Sequence, residues 1–77
     1  MKTMTCRALG GPCDLEHHGD DDDVITAQVR RLRTAERAGD AAHQGAREAM
    51  KGRWRHPRAS MTWYRETARA FAALPDD

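Results

Sequence analysis

The sequence has no long apolar run, few aromatics and only two cysteines, and each scarcity excludes something. No stretch reaches the length of a membrane-spanning helix or of a secretory signal. That predicts a cytoplasmic protein with no membrane partner, in a compartment where thiols stay reduced. Cys6 and Cys13 could be bridged across a hairpin, but a reducing compartment argues against a disulfide. The aromatics are Trp54, Trp63, Tyr64 and Phe71, and apolar residues make up 39% of the 77. A chain of that length is one domain, and its core is thin and rich in Ala. A single core of this size supplies only ~3–5 kcal/mol, so a metal or self-association often supplements it. There is no internal repeat and no low-complexity segment beyond the four aspartates Asp20–Asp23.

The net charge of +1 conceals an uneven distribution. Residues 1–23 hold two basic and six acidic side chains, and residues 24–77 hold eleven basic and six acidic. A basic half suits nucleic acid or another polyanion. Arginines on solvated helix faces are the more ordinary explanation.

What is present starts with Met1–His18. Lys2–Cys6 alternates, with Met4 and Cys6 on one side and Thr3 and Thr5 on the other. Cys13–His17 alternates again, placing Cys13, Leu15 and His17 on one face. Two such runs around Leu9-Gly10-Gly11-Pro12 predict an antiparallel hairpin over residues 1–18. Two strands are marginal alone, so their apolar face needs a cover.

Three helices follow. The first is expected over 20–38, with Ile25, Gln28, Leu32 and Ala35 in one stripe that Val24 and Ala38 extend. Asp20 or Asp21 caps it, and the remaining acids favour its first turn. The alternating ligands of a calcium loop are absent there. Gly39 is placed to stop that helix and Asp40 to cap the next, expected over 40–51 with Ala42, Ala46, Ala49 and Met50 on its apolar side. Gly52 stops it. Pro57 suits the first turn of a third helix over 57–74. Met61, Tyr64, Ala68 and Phe71 form one stripe on it, and Trp63, Thr67, Ala70 and Leu74 a second. The fold class is therefore α+β, a two-stranded β-hairpin packed on a small bundle of about three α-helices. The wide face carrying Trp63, Tyr64 and Phe71 is also a candidate for self-association.

The chemistry-bearing residues are the cysteines and histidines. Zinc takes four thiolate or imidazole ligands, and a metal set of Cys6, Cys13, His17 and His43 is arithmetically available. Six residues separate the cysteines, so the short knuckle spacing is absent. The plain alternative is two reduced cysteines packed as small hydrophobes. A thiol nucleophile with His17 as its base lacks an orienting third group, so no enzyme is read here. Arg53, Trp54, Arg55 and Arg58 combine cations with a stacking surface, and they define an alternative reading as a nucleic-acid-binding module. On the ordinary reading Trp54 is instead a core anchor between solvated arginines.

The opening MKTMTCRALGGPCDLEHHG, the acidic helix start before Val24-Ile25, and the later AREAMKGRWRHPRASMTWYRETARAFAALP resemble short bacterial proteins of domain-of-unknown-function family 1059. The resemblance to the family core covers roughly residues 1–38. It implies a protein without a settled function, and a first-helix histidine that would complete a Cys/His metal set with the hairpin cysteines. This chain departs there, with Arg31 where such a histidine is expected. Only Cys6 and Cys13 transfer as ligands. The expected function is a small binding or regulatory protein with a structural zinc site at those cysteines.

Overall fold

The computed structural model describes residues 1–77. Strand β1 (Lys2–Thr5) pairs antiparallel with β2 (Glu16–Gly19), and three helices follow: α1 (Asp21–Arg37), α2 (Ala41–Trp54) and α3 (Pro57–Ala72). The fold is α+β, as the alternation and periodicity predict.

The hairpin differs from its expected form. Met4 sits opposite His17 and Thr5 opposite Glu16, so pairing starts three residues later than the Cys13 alternation implies. Between the strands lies a long loop opened by a single 3-10 turn over Arg7–Leu9. Within it Cys6 N–H donates to the Leu15 carbonyl at 2.8 Å, and the Cys6 carbonyl accepts from Leu9 and Gly11 at 3.1 and 2.8 Å. Arg7 Nε reaches Asp14 Oδ1 at 2.7 Å across the loop. These bonds, rather than a strand ladder, hold Cys13. Leu15 points to solvent instead of joining the hairpin's buried face.

Helix α1 is the central element. Its stripe of Val24, Ile25, Gln28, Leu32 and Ala35 is buried as the spacing predicts, while Ala38 has left the helix and is exposed. Asp20 is the N-cap residue, and its backbone N–H donates to Asp23 Oδ2 at 2.9 Å. Gly39 takes the left-handed conformation at φ 73°, which an L side chain resists, and so ends the helix. The core joins Met4, Leu9, Val24 and Ile25, with Trp63, Phe71 and Leu74 packed against it.

Helix α2 runs through Gly52 to Trp54, because nothing after Gly52 forces an αL stop. Its buried residues are His43 and Met50 rather than the alanines, of which Ala42 and Ala49 are exposed. A methyl group removes little surface from water, so the larger side chains decide which face turns inward. Helix α3 starts at Pro57 as expected and ends at Ala72. Its two stripes do not both bury. Trp63, Thr67, Phe71 and Leu74 turn inward, whereas Met61 and Tyr64 are exposed. The end of α3 is tied to β1: Lys2 Nζ donates to the carbonyls of Phe71 and Ala72 at 3.2 and 2.9 Å. Thr3 Oγ1 donates to Asp77 Oδ2 at 2.6 Å, and Asp77 N–H to the Met1 carbonyl at 2.9 Å. No helix is long and apolar enough to cross a membrane.

Candidate metal centre

Three potential ligands converge from three parts of the chain. Cys6 follows the last residue of β1, Cys13 lies in the loop, and His43 lies in the first turn of α2. The Sγ atoms of Cys6 and Cys13 and a ring nitrogen of His43 all lie within 4.8 Å of one another. His43 Nε2 is 3.4 Å from Cys13 Sγ. Tetrahedral zinc, with Zn–S of about 2.3 Å and Zn–N of about 2.0 Å, sets its ligand atoms roughly 3.5–3.8 Å apart. The group is therefore near the dimensions of a zinc centre, and its donors are the types zinc takes.

The imidazole is aimed by Asp40. Asp40 Oδ2 stands 2.8 Å from His43 Nδ1, and a carboxylate oxygen only accepts, so Nδ1 carries the proton. In the neutral ring Nε2 then holds a lone pair directed at Cys13. Asp40 Oδ1 accepts from Ala42 N–H at 3.0 Å and so caps α2. Burial raises the Asp40 carboxyl, but the bonds from His43 and from the Ala42 and His43 backbone outweigh it and leave the group below the usual carboxylate range. A carboxylate behind a ligating histidine is a common outer-sphere arrangement at metal sites.

Each thiol has its own support. Gln28 Nε2 donates to Cys6 Sγ at 3.2 Å, and Gln28 Oε1 accepts from His17 Nε2 at 2.8 Å. Cys6 is fully buried. The Cys13 thiol is lowered from the ordinary 9.0 to about 7. The Leu15 backbone N–H contributes most and His43 next, with smaller parts from Cys6 and Arg31, against the opposing effect of burial. Gly11 makes this crowding possible. A Cβ there would overlap Cys6 Sγ and lie 2.8 Å from Gln28 Nε2.

Of the four expected ligands the structure brings together Cys6, Cys13 and His43 and leaves out His17. His17 shares the hairpin's buried face, but its Nε2–H is committed to Gln28. Spacing alone did not reveal Asp40 or Gln28 as parts of the site. The signals were present: a polar Gln28 in an apolar stripe, and Asp40 three residues before His43.

The basic stretch is divided between elements. Arg53 and Trp54 belong to α2, not to a loop, and Arg58 to α3. The Arg53 guanidinium lies 4.4 Å from the Trp63 ring centroid, and its burial lowers its proton affinity. Trp54 is 46% exposed, which overturns its expected role as a core anchor. An open groove lined by Trp54, Pro57, Ser60, Met61, Tyr64 and Arg65 runs beside it.

Comparison of the chain with protein-family models, with curated proteins and with solved structures finds no match.

Proposed function

We propose that this chain is a small metal-binding protein with a binding or regulatory role in a reducing compartment, and that Cys6, Cys13 and His43 hold one zinc ion. The observation that carries the reading is the Cys6–Cys13–His43 group with Asp40 aligned behind the imidazole. Thiolate and imidazole donors favour zinc over magnesium or calcium. The ion would tie β1, the loop and α2 together in a chain whose buried hydrophobic residues number only eight. That is the situation in which a small fold gains most from a metal.

Metal analysis of protein purified without added chelator tests this. The expected result is about one zinc per chain, lost in Cys6→Ser, Cys13→Ser and His43→Ala, with a chelator lowering the melting temperature of the parent. A metal-free protein indifferent to chelator would overturn it.

A second reading is favoured by the exposure of Trp54 and Tyr64, 46% and 44%, along a groove that Arg65 also lines, with Arg55 and Arg58 next in sequence to its Trp54 and Pro57. It takes this face as a platform for single-stranded nucleic acid, with bases stacked on the rings and phosphates met by the arginines. Binding of a mixed-sequence oligonucleotide at low salt, weakened by added salt and by Trp54→Ala, is expected. No binding at low salt would overturn it.

A further inference from the structure

The same three side chains form a second arrangement that needs no metal. Cys13 Sγ stands 3.4 Å from His43 Nε2, and His43 Nδ1–H donates to Asp40 Oδ2 at 2.8 Å. With Nε2 unprotonated, the Cys13 S–H is the donor in the first of these contacts. Thiol, imidazole and carboxylate thus follow one another as a nucleophile, its base and the group that orients the base. That third group is missing around His17, and Asp40 supplies it at His43.

A second sulfur lies behind the first. Cys6 Sγ is within 4.8 Å of Cys13 Sγ and of the His43 ring nitrogen, and both thiols are free. Their exposure differs. Cys6 is 0% exposed, whereas Cys13 is partly open to solvent. A reagent from solvent therefore meets Cys13 first, and Cys6 reacts only with what forms on Cys13. Gln28 Nε2–H donates to Cys6 Sγ at 3.2 Å, a bond that favours the sulfur as it gains negative charge. Cys13 belongs to no strand ladder, so its side chain can swing across the remaining gap to the ~2 Å of a sulfur–sulfur bond. The clefts lined by Trp54 and Tyr64 include neither cysteine, so the reagent must be small enough to react without one.

We propose that the metal-free chain reduces small hydroperoxides, with Cys13 as the attacking thiol, Cys6 as the resolving thiol and His43 as the proton carrier. His43 Nε2 takes the Cys13 proton as the sulfur attacks the terminal peroxide oxygen. The O–O bond breaks, and the departing alkoxide takes that proton back from His43. The sulfur has then lost two electrons to become a sulfenic acid, and the hydroperoxide has become an alcohol. The Cys6 sulfur attacks the Cys13 sulfur, the S–O bond breaks, and the hydroxyl leaves with the Cys6 proton as water. A Cys6–Cys13 disulfide remains, and an external dithiol restores both thiols by exchange. Asp40 is a positioning residue that keeps Nε2 turned towards Cys13. This activity does not depend on zinc, which would occupy the same three donors and block it.

The chain, reduced and stripped of metal with a chelator, is mixed with cumene hydroperoxide and followed by intact-protein mass spectrometry. The expected product has lost two hydrogens, with the Cys6–Cys13 bond located by peptide mapping, and dithiothreitol returns the starting mass. Its rate should exceed that of free cysteine at the same pH by about 100-fold or more. Cys6→Ser is expected to stop at a sulfenic acid on Cys13, trapped by dimedone, and Cys13→Ser to react no faster than free cysteine. His43→Gln and Asp40→Asn test the proton transfer. Alkylation by iodoacetamide needs no proton on its leaving group. Both variants should therefore lose more in peroxide rate than in alkylation rate, by about tenfold or more for His43→Gln. A parent that meets the hydroperoxide at the rate of free cysteine would overturn the proposal. Equal losses in the two reactions, or a disulfide formed at full rate in His43→Gln, would also overturn it.

Discussion

Asp40 serves His43 and its own helix with different oxygens. Oδ2 accepts from His43 Nδ1 at 2.8 Å while Oδ1 accepts from Ala42 N–H at 3.0 Å. The start of α2 and the aim of the imidazole are thus set by one side chain, and substitutions can separate the two roles. Asp40→Ala removes both, and is expected to cost about 1 kcal/mol of stability through the lost cap. It should also weaken metal binding by about 10- to 100-fold through the lost outer-sphere carboxylate. Asp40→Asn retains the cap and is expected to show mainly the second effect. Thermal melts and competition with a coloured chelator read the two separately.

The thiol of Cys13 is expected to be the reactive one. Alkylation by iodoacetamide, followed by mass spectrometry, should reach half its maximal rate at about pH 7 for Cys13, with buried Cys6 far slower. Zinc should protect both. The sign of the coupling to stability follows from the direction of the shift. A thiol at about 7 in the folded chain and 9.0 when unfolded favours the fold fully above pH 9. That contribution shrinks as pH falls from 9 and is gone below about 7. Cys13→Ser should flatten this part of the metal-free stability profile.

Two glycines should respond in opposite senses to alanine. Gly11→Ala drives a methyl group into Cys6 Sγ and Gln28 Nε2, an overpacking expected to cost about 1–3 kcal/mol and to reduce metal uptake. Gly45→Ala lies inside α2 with nothing within 4 Å of the new Cβ. It should stabilise the chain by about 1 kcal/mol without changing metal content. Urea denaturation of both variants checks the pair.

Gln28 connects His17 to Cys6 in a buried chain of hydrogen bonds. Gln28→Ala leaves the His17 Nε2–H without its acceptor and opens space beneath Cys6. A loss of about 2–4 kcal/mol is expected, measured by chemical denaturation. His17→Ala should be partly compensating in the double variant, since the orphaned donor is then absent.

The legible parts of the sequence were those governed by local rules. The α1 stripe, the Asp20 and Asp40 caps, the Gly39 stop and Pro57 at the head of α3 each depend on a few neighbouring residues, and each appears in the fold. The start of the second strand was misread because Cys13–Leu15 carries the alternation of Glu16 and His17 backwards without joining the ladder. Its backbone is held by the 3-10 turn and the Arg7–Asp14 bridge, which side-chain periodicity does not encode. The buried face of α2 was read correctly at Met50 and misread beside it, because Ala42, Ala46 and Ala49 suggested an apolar side while His43 carried the rest of the contact. Cys6, Cys13 and His43 were legible as donor types. The choice of His43 over His17 was not, since it depends on where α2 meets the loop and on Gln28 occupying His17 first.

The ligand set also divides the chain by its spacing. A metal held by residues 6, 13 and 43 closes a circuit that encloses β2 and all of α1 and leaves α3 outside. Helix α3 is retained by the inward side of Trp63, Phe71 and Leu74 and by the Lys2 contacts at its end. Metal-dependent protection from amide hydrogen exchange should therefore be greatest from Cys6 to the first turns of α2. Helix α3 should open as a unit of its own, on a clock that the metal does little to slow.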